Sequence, residues 1–363
     1  MLRKSRAAVL EGIRKMSIKE FDVPNVSADD GLLRVEMVGV CGSDPGMYMG
    51  KFKVPFPIIM GHEIVGYIEE IGDIIAAKHG VKRGDRVVVE HPFGCGECYP
   101  CITGDYINCE KNLKYGYSIS CKDTPHLWGG YSEYLYISPR AMVHKIPHDL
   151  PAEAAILICA IMGNAIRWVR MIGQVSIGDT VVIQGPGQQG LAAVIAAKES
   201  GASNIIVVGT SKDRRRLEMA CRLGANYAVN INEEDPVTKV REISGGLMAD
   251  VVIEVSGYPG ALRVSTDLVR KKGTIIAAGL YGQKTEISLI FDKLIMNEVK
   301  LQGVYSHDIR AVLPAIRLVE SRRYPIEELV THKFKLDEAE KAVQLVAGEV
   351  EDIEEPIKVA IVP

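Results

Sequence analysis

The chain has 363 residues, 47% of them hydrophobic and 25% charged, with 35 glycines; this describes a globular, turn-rich protein with room for two domains and excludes a disordered or fibrous one. Its 43 basic and 46 acidic residues are interspersed and leave a formal charge of -3, so no basic field is offered to nucleic acid or an anionic membrane. The start, Met1 to Asp22, lacks the apolar core of a secretory signal, and no apolar run reads as membrane-spanning; a cytoplasmic protein is expected, in which eight cysteines stay reduced and their clustering points to metal.

From Ala7 to Lys145, short β-branched runs are separated by glycine, proline and aspartate, among them Leu32 to Val40, Ile64 to Ile71 and Arg86 to Glu90. They predict an irregular, β-rich first domain over residues 1–154. Asp149, Pro151 and Glu153 then read as a helix start, and Ala154 to Met171 is apolar and of helical length. Strands and helices alternate beyond it: Thr180 to Gln184, a helix from Gln189 to Ser200, Asn204 to Val208, a helix from Arg214 to Leu223, Ala249 to Glu254, and Thr274 to Gly279. The alternation predicts an α/β, doubly wound parallel sheet over residues 155–300. The remainder, 301–363, holds a helix-like stretch, Arg310 to Glu320, and a strand-like end, Pro356 to Val362, expected to return to the first domain.

The apolar strand ending at Gln184 runs into Gly185-Pro186-Gly187-Gln188-Gln189-Gly190, which opens an alanine-rich helix. G-x-G-x-x-G in this strand-to-helix setting is the dinucleotide fingerprint. Its first glycine permits the turn, its second lets backbone approach a pyrophosphate, and its third lets helix and strand pack closely. An NAD site calls for an acid at the end of the next strand, where this chain has Gly209, followed by Thr210, Ser211, Lys212 and, after Asp213, Arg214 to Arg216. Hydroxyls and cations suit a 2′-phosphate better than a bare ribose diol, so NADP is favoured, with NAD the alternative.

Cys95, Cys98, Cys101 and Cys109 stand as C-x2-C-x2-C-x7-C in a glycine-containing loop of about residues 91–110. Four thiolates so spaced surround one tetrahedral zinc and leave no position for substrate, which marks a structural site whose metal orders the loop. Cys121 and Cys221 fall outside this set and read as structural.

Gly61-His62-Glu63-Ile64-Val65-Gly66 through Gly72, then Gly84-Asp85-Arg86-Val87, the four-cysteine loop and the fingerprint follow one another in an order that resembles the zinc-dependent medium-chain dehydrogenases, which include the alcohol and sorbitol dehydrogenases. The resemblance spans essentially the whole chain. It implies a GroES-like β-rich catalytic domain, a Rossmann domain and a C-terminal return to the first. It further implies a catalytic zinc on Cys41, His62 and Cys159, a Cys-His-Cys set for which alcohol dehydrogenase is the standing example. Cysteine at 159 follows the alcohol dehydrogenase form, where sorbitol-type members often carry glutamate. By the same resemblance Ser43 contacts the substrate oxygen and begins a proton relay, Asp44 orients His62, Glu63 lies behind the metal, and Tyr48, Phe52 and Trp128 are candidate pocket walls. The histidine that many members carry five residues after the first cysteine is here Gly46. The implied reaction is hydride transfer between a secondary alcohol or polyol and NAD(P), in a homodimer or homotetramer with two zincs per chain. A quinone reductase of the same fold and a non-catalytic zinc- and dinucleotide-binding protein are the rival readings.

Overall fold

The computed structural model describes residues 3–282, 284–351 and 353–363. The chain forms two compact units, Met1–Ala160 with Asp308–Pro363, and Ile161–His307.

The first unit is built from β1 (Lys4–Gly12), β2 (Lys15–Asp22), β3 (Gly31–Val40), β4 (Ile58–Ile59), β5 (Glu63–Ile71), β6 (Arg86–Val89), β7 (Tyr134–Ile137) and β8 (Val143–Lys145). The second unit contributes β9 (Thr180–Gln184), β10 (Asn204–Gly209), β11 (Tyr227–Asn230), β12 (Ala249–Glu254), β13 (Val269–Ala277) and β14 (Lys300–Gly303). The chain then returns to the first unit with β15 (Val330–Lys335) and β16 (Lys358–Val362).

In the first unit a sheet in the order β15-β16-β3-β5-β6-β8, with β7 also on β3, stands beside a smaller sheet β2-β1-β4. β3 reads Leu-Leu-Arg-Val-Glu-Met-Val-Gly-Val from Leu32. Its near-continuous apolar face supplies Leu32, Leu33, Val35 and Val38 to the core, against Ile64 and Ile68 of β5 and Val87 and Val89 of β6. The return is sealed by antiparallel pairing of Val359, Ala360 and Ile361 with Val40, Gly39 and Val38.

The second unit is a parallel sheet in the order β11-β10-β9-β12-β13-β14. The strand order reverses between β9 and β12, which run parallel; this is the doubly wound topology, whose ligand crevice lies at the carboxyl ends of those strands. Val182, Ile206, Val252 and Ile275 fill one side of it as a fully buried layer.

One expectation needs correction. The helix Ala152–Ile172 is 21 residues long and apolar enough to cross a membrane by composition, with 78% of its apolar window buried inside the protein. It is a core helix, buried along most of its length and exposed only at Arg170 and Met171 near its end. It is also not a regular α-helix, because Ile158–Gly163 and Ile166–Ile172 are wound with π-type turns. Such turns are rare and concentrate at functional positions.

Candidate metal centres and dinucleotide site

Cys41 follows the last residue of β3, and His62 precedes the first residue of β5. The two strands are antiparallel neighbours with Gly39 opposite Glu63, so the end of one lies beside the start of the other. This juxtaposition brings ligand atoms of Cys41, His62 and Glu63 within 4.8 Å of one another. Only glycine fits at 39, where a Cβ would stand 2.1 Å from Glu63 Oε2.

Three buried polar atoms in this corner, His62 Nδ1, Glu63 Oε1 and Asp44 Oδ1, have no hydrogen-bond partner among the described residues. Buried polar atoms are rarely left unmatched, and a cluster of acceptors and an imidazole is what a dication would satisfy. The electrostatics agree. Burial by itself lowers the His62 pKa, but the charges of Cys41 and Asp44 outweigh it and push it up to about 9. Burial pushes the Asp44 carboxyl above its ordinary value. The same anionic neighbours that hold a proton on His62 would favour a dication in its place.

Asp44 is completely buried, with Oδ2 accepting from Cys41 N at 2.9 Å and from the Tyr131 hydroxyl at 2.7 Å. These two donors pin the carboxyl so that Oδ1 lies 3.7 Å from His62 Nδ1, an ion-pair separation rather than a hydrogen bond. Glu63 Oε2 is held by the ammonium of Lys358, which also donates to Val40 O at 2.9 Å. Both side chains are wholly enclosed.

Cys159 lies in the π-wound segment and is buried. It falls outside the group of mutually close ligand atoms. Burial holds its thiol well above the ordinary value, and the charges of Glu90 and Glu63 add to this. The structure thus gathers Cys41, His62 and Glu63, and leaves Cys159 within electrostatic reach of that group.

Ser43 occupies the N-terminal cap of the helix Asp44–Tyr48, with its hydroxyl uncommitted to capping. Gly46 has no room for a larger residue, since a Cβ would stand 2.2 Å from the Phe52 ring. Of the expected pocket walls, Tyr48 is engaged elsewhere, donating to Glu340 at 2.8 Å and accepting from Gln344 at 3.0 Å. Trp128 is stacked on Phe93 with centroids 6.4 Å apart and donates to Asp123 O. Two neighbours that sequence reasoning passed over are His91 and Tyr117, whose rings lie 5.1 and 6.5 Å from that of His62. Lys358 was also missed, although a lone lysine inside Ile357–Ile361 was a visible anomaly.

The thiols of Cys95, Cys98, Cys101 and Cys109 converge within 4.8 Å of one another. N–H groups of Glu97 and Cys98 lower the Cys95 pKa to about 6, while burial pushes Cys101 up to about 12. At Gly94 a Cβ would stand 2.5 Å from Cys101 Sγ, so the backbone closes directly on the thiols. The lobe is pinned by Tyr106, which donates to the buried Glu90 at 2.6 Å and accepts from Ile309 N at 2.7 Å. Glu90 also bonds His144 at 2.7 Å.

At the end of β9, Gly185 has φ +102° and a Cβ there would stand 2.9 Å from Ser256 Cα. Gly190 packs on Gly185 O, 1.9 Å from where a Cβ would be, whereas nothing lies within 4 Å at Gly187. The helix Gln188–Glu199 starts there, so an open backbone cradle faces its N–H groups. Gln188 Oε1 is buried without a partner among the described residues. At Gly209 a Cβ would stand 2.9 Å from the Pro186 ring. Beyond it Thr210 and Asp213 form a capping box. Ser211 N donates to Asn232 at 2.9 Å, and Asn230 Nδ2 donates to the Ser211 hydroxyl at 3.0 Å. Arg216 is held by Asp213 at 3.0 Å, while Arg214 pairs with Glu218 and is 88% exposed.

The alcohol dehydrogenase GroES-like domain model matches residues 27–148, and the zinc-binding dehydrogenase model matches residues 190–321. The chain is 37% identical over 350 residues to a probable alcohol dehydrogenase of Mycobacterium tuberculosis, covering 95% of each. It is 32% identical over 375 residues to an erythritol/L-threitol dehydrogenase of Mycolicibacterium smegmatis, covering 99% of this chain and 98% of the relative. Among solved structures, an alcohol dehydrogenase of Thermotoga maritima superposes with a TM-score of 0.90 at 29% identity, covering 99% of this chain and 100% of that one.

Proposed function

Because the chain belongs to the zinc-dependent medium-chain dehydrogenase family, and is an oxidoreductase of the alcohol and polyol dehydrogenase type acting on CH–OH groups, we propose that its reaction centre is the corner formed by Cys41, His62 and Glu63. The observation that carries the assignment is the convergence of these three ligand atoms within 4.8 Å beside orphaned polar atoms. Cys41 and His62 would hold the catalytic zinc together with Cys159, the ligand implied by resemblance, or with Glu63, the one the geometry favours. The zinc would supply Lewis acidity that lowers the pKa of an alcohol or polarises a carbonyl. A second zinc would sit on Cys95, Cys98, Cys101 and Cys109 and order the lobe.

The protein's own groups divide the remaining work. Ser43, with its hydroxyl uncommitted to capping, accepts the proton of the substrate hydroxyl and passes it outward. The relay does not run through position 46, which the Phe52 ring occupies. Asp44 Oδ1 stands 3.7 Å from His62 Nδ1, where in its ionised form it would raise the basicity of the imidazole as a ligand. Lys358 holds Glu63 Oε2 and leaves Oε1 directed to the corner.

The hydride carrier is NADP, with its pyrophosphate on the first turn of the helix Gln188–Glu199, between Gly185, Gly187 and Gly190. The preference over NAD is supported by Gly209, where the Pro186 ring leaves no room for a ribose-binding carboxylate. Ser211, Lys212 and Arg214 supply donors beside it. The substrate class is a secondary alcohol or polyol, handled in a reducing cytoplasmic setting. A homodimer is supported by β14, the last strand of its sheet and exposed along its length, beside Phe291, Ile295 and Met296, which are 62, 63 and 80% exposed.

The test is a panel of secondary alcohols, polyols and ketones with both dinucleotides, on zinc-replete protein and on Cys159→Ala and Glu63→Gln. The variant that removes a true ligand drops from two zincs to one and loses activity. Retention of two zincs and full turnover by both variants would exclude both candidates for the third ligand.

A further inference from the structure

Glu254 is the last residue of β12 and is 0% exposed. Its partners are neutral donors: Oε1 accepts from Ser256 N at 2.8 Å, from Gly257 N at 3.1 Å and from the Ser256 hydroxyl, while Oε2 accepts from the Tyr281 hydroxyl. Two backbone N–H groups and two hydroxyls thus converge on one enclosed carboxyl, with no cation among these partners. Burying a carboxyl is costly unless hydrogen bonds match it, and here the matching donors come from the turn that follows β12 and from Tyr281.

The sheet order decides what this one faces. β9 lies between β10 and β12, and the pyrophosphate site is at the end of β9. With the adenine ribose on the β10 side, at Gly209, the nicotinamide half falls on the side of β12 and β13. There the loops after both strands are locked together. A Cβ on Gly279 would stand 2.3 Å from Gly257 N and 2.6 Å from Glu254 Oε2. Ala278 N and Gly279 N both donate to Glu254 O, at 2.9 and 3.1 Å.

We propose that Glu254 is a positioning residue for the nicotinamide half of the dinucleotide: its carboxylate fastens the Ser256–Gly257 turn to Tyr281 and sets a fixed negative charge at that end of the sheet. The charge favours the oxidised, cationic ring over the reduced, neutral one. The proposal rests on the dinucleotide site described above and goes beyond it by assigning redox-state discrimination to a residue outside the glycine fingerprint.

The experiment titrates zinc-replete full-length protein with oxidised and with reduced NADP, the reduced form followed by its fluorescence and the oxidised form by competition. In Glu254→Gln the ratio of the two affinities shifts about tenfold towards the reduced form, the scale of one unit charge acting through a partly screened interior. Glu254→Asp and Tyr281→Phe, which keep the charge, weaken both forms and preserve the ratio. An unchanged ratio in Glu254→Gln, or an equal shift in either charge-retaining variant, overturns the proposal. Wild-type protein that bound neither form of NADP, nor NAD in a parallel titration, would overturn the dinucleotide reading itself, before any substitution is made.

Discussion

Replacing Lys358 by methionine separates the two roles of the enclosed Glu63 carboxylate. Methionine retains most of the stem, so the perturbation is the loss of one ammonium that bonds Glu63 and donates to Val40 O at 2.9 Å. Both partners are wholly enclosed, and removal of one member of such a pair destabilises by about 3–5 kcal/mol because the other charge stays buried. For a unit of roughly 200 residues this lowers the melting temperature by about 6–20 °C. Metal-free protein feels the full loss, since Glu63 Oε1 already lacks a partner among the described residues. At the site proposed above, zinc-loaded protein would have a second cation beside the same carboxylate, and its loss would shrink to on the order of 1–2 kcal/mol. By linkage, Lys358→Met binds zinc more tightly relative to its apo form than wild type does. Calorimetric melts of chelator-treated and zinc-reconstituted protein measure both terms. An equal drop in the two states would refute the idea that Lys358 and the metal compete for Glu63.

Arg214→Ala with Arg215→Ala weakens NADP about 10–100-fold, the scale of charge-assisted hydrogen bonds, and changes NAD little; Arg216 is left in place because it secures Asp213. Equal effects in paired titrations would remove the basis for the NADP preference. His79 is half-buried, and burial, with Lys78 and His144 close by, lowers its pKa from 6.5 to about 4. Between those values the unfolded chain binds the proton and the folded chain does not, so stability falls as the pH drops from 6.5 towards 4. Urea unfolding of wild type and His79→Gln at pH 7, 5.5 and 4.5 checks this: the variant has the shallower slope, and identical slopes would discount His79.

Legibility in the sequence followed locality. β9, β12 and the helix Arg214–Leu223 were bounded to the residue, because each carries its own period and its own stop, a glycine or a polar turn. The convergence of Cys95, Cys98, Cys101 and Cys109 was legible for the same reason. The contact between Lys358 and Glu63 spans 295 positions, and no local pattern announces it. Apolar length marked the helix after Pro151 but could not reveal its π winding, because a nearly continuous apolar run carries no period from which the turn type could be read. The preference for Glu63 over Cys159 in the cluster depends on the register of β3 on β5, which is settled only when the sheet forms. Ring neighbours such as His91 and Tyr117 reach His62 from loops with no periodicity to read.

The packing of Pro186 over Gly209 bears on how such a protein could change coenzyme over evolutionary time. An aspartate at 209 is the single change that would offer a carboxylate to a ribose diol, yet its Cβ would arrive 2.9 Å from one ring carbon and 3.2 Å from the next. The proline stands between Gly185 and Gly187 of the glycine fingerprint, so a shift of its ring would be shared with their backbone. Substitution at 209 therefore asks both Pro186 and Leu217, whose Cδ2 would stand 3.2 Å from the new Cβ, to give way. On the NADP reading proposed above, a change of coenzyme in this chain would ask for adjustment at a second position besides 209.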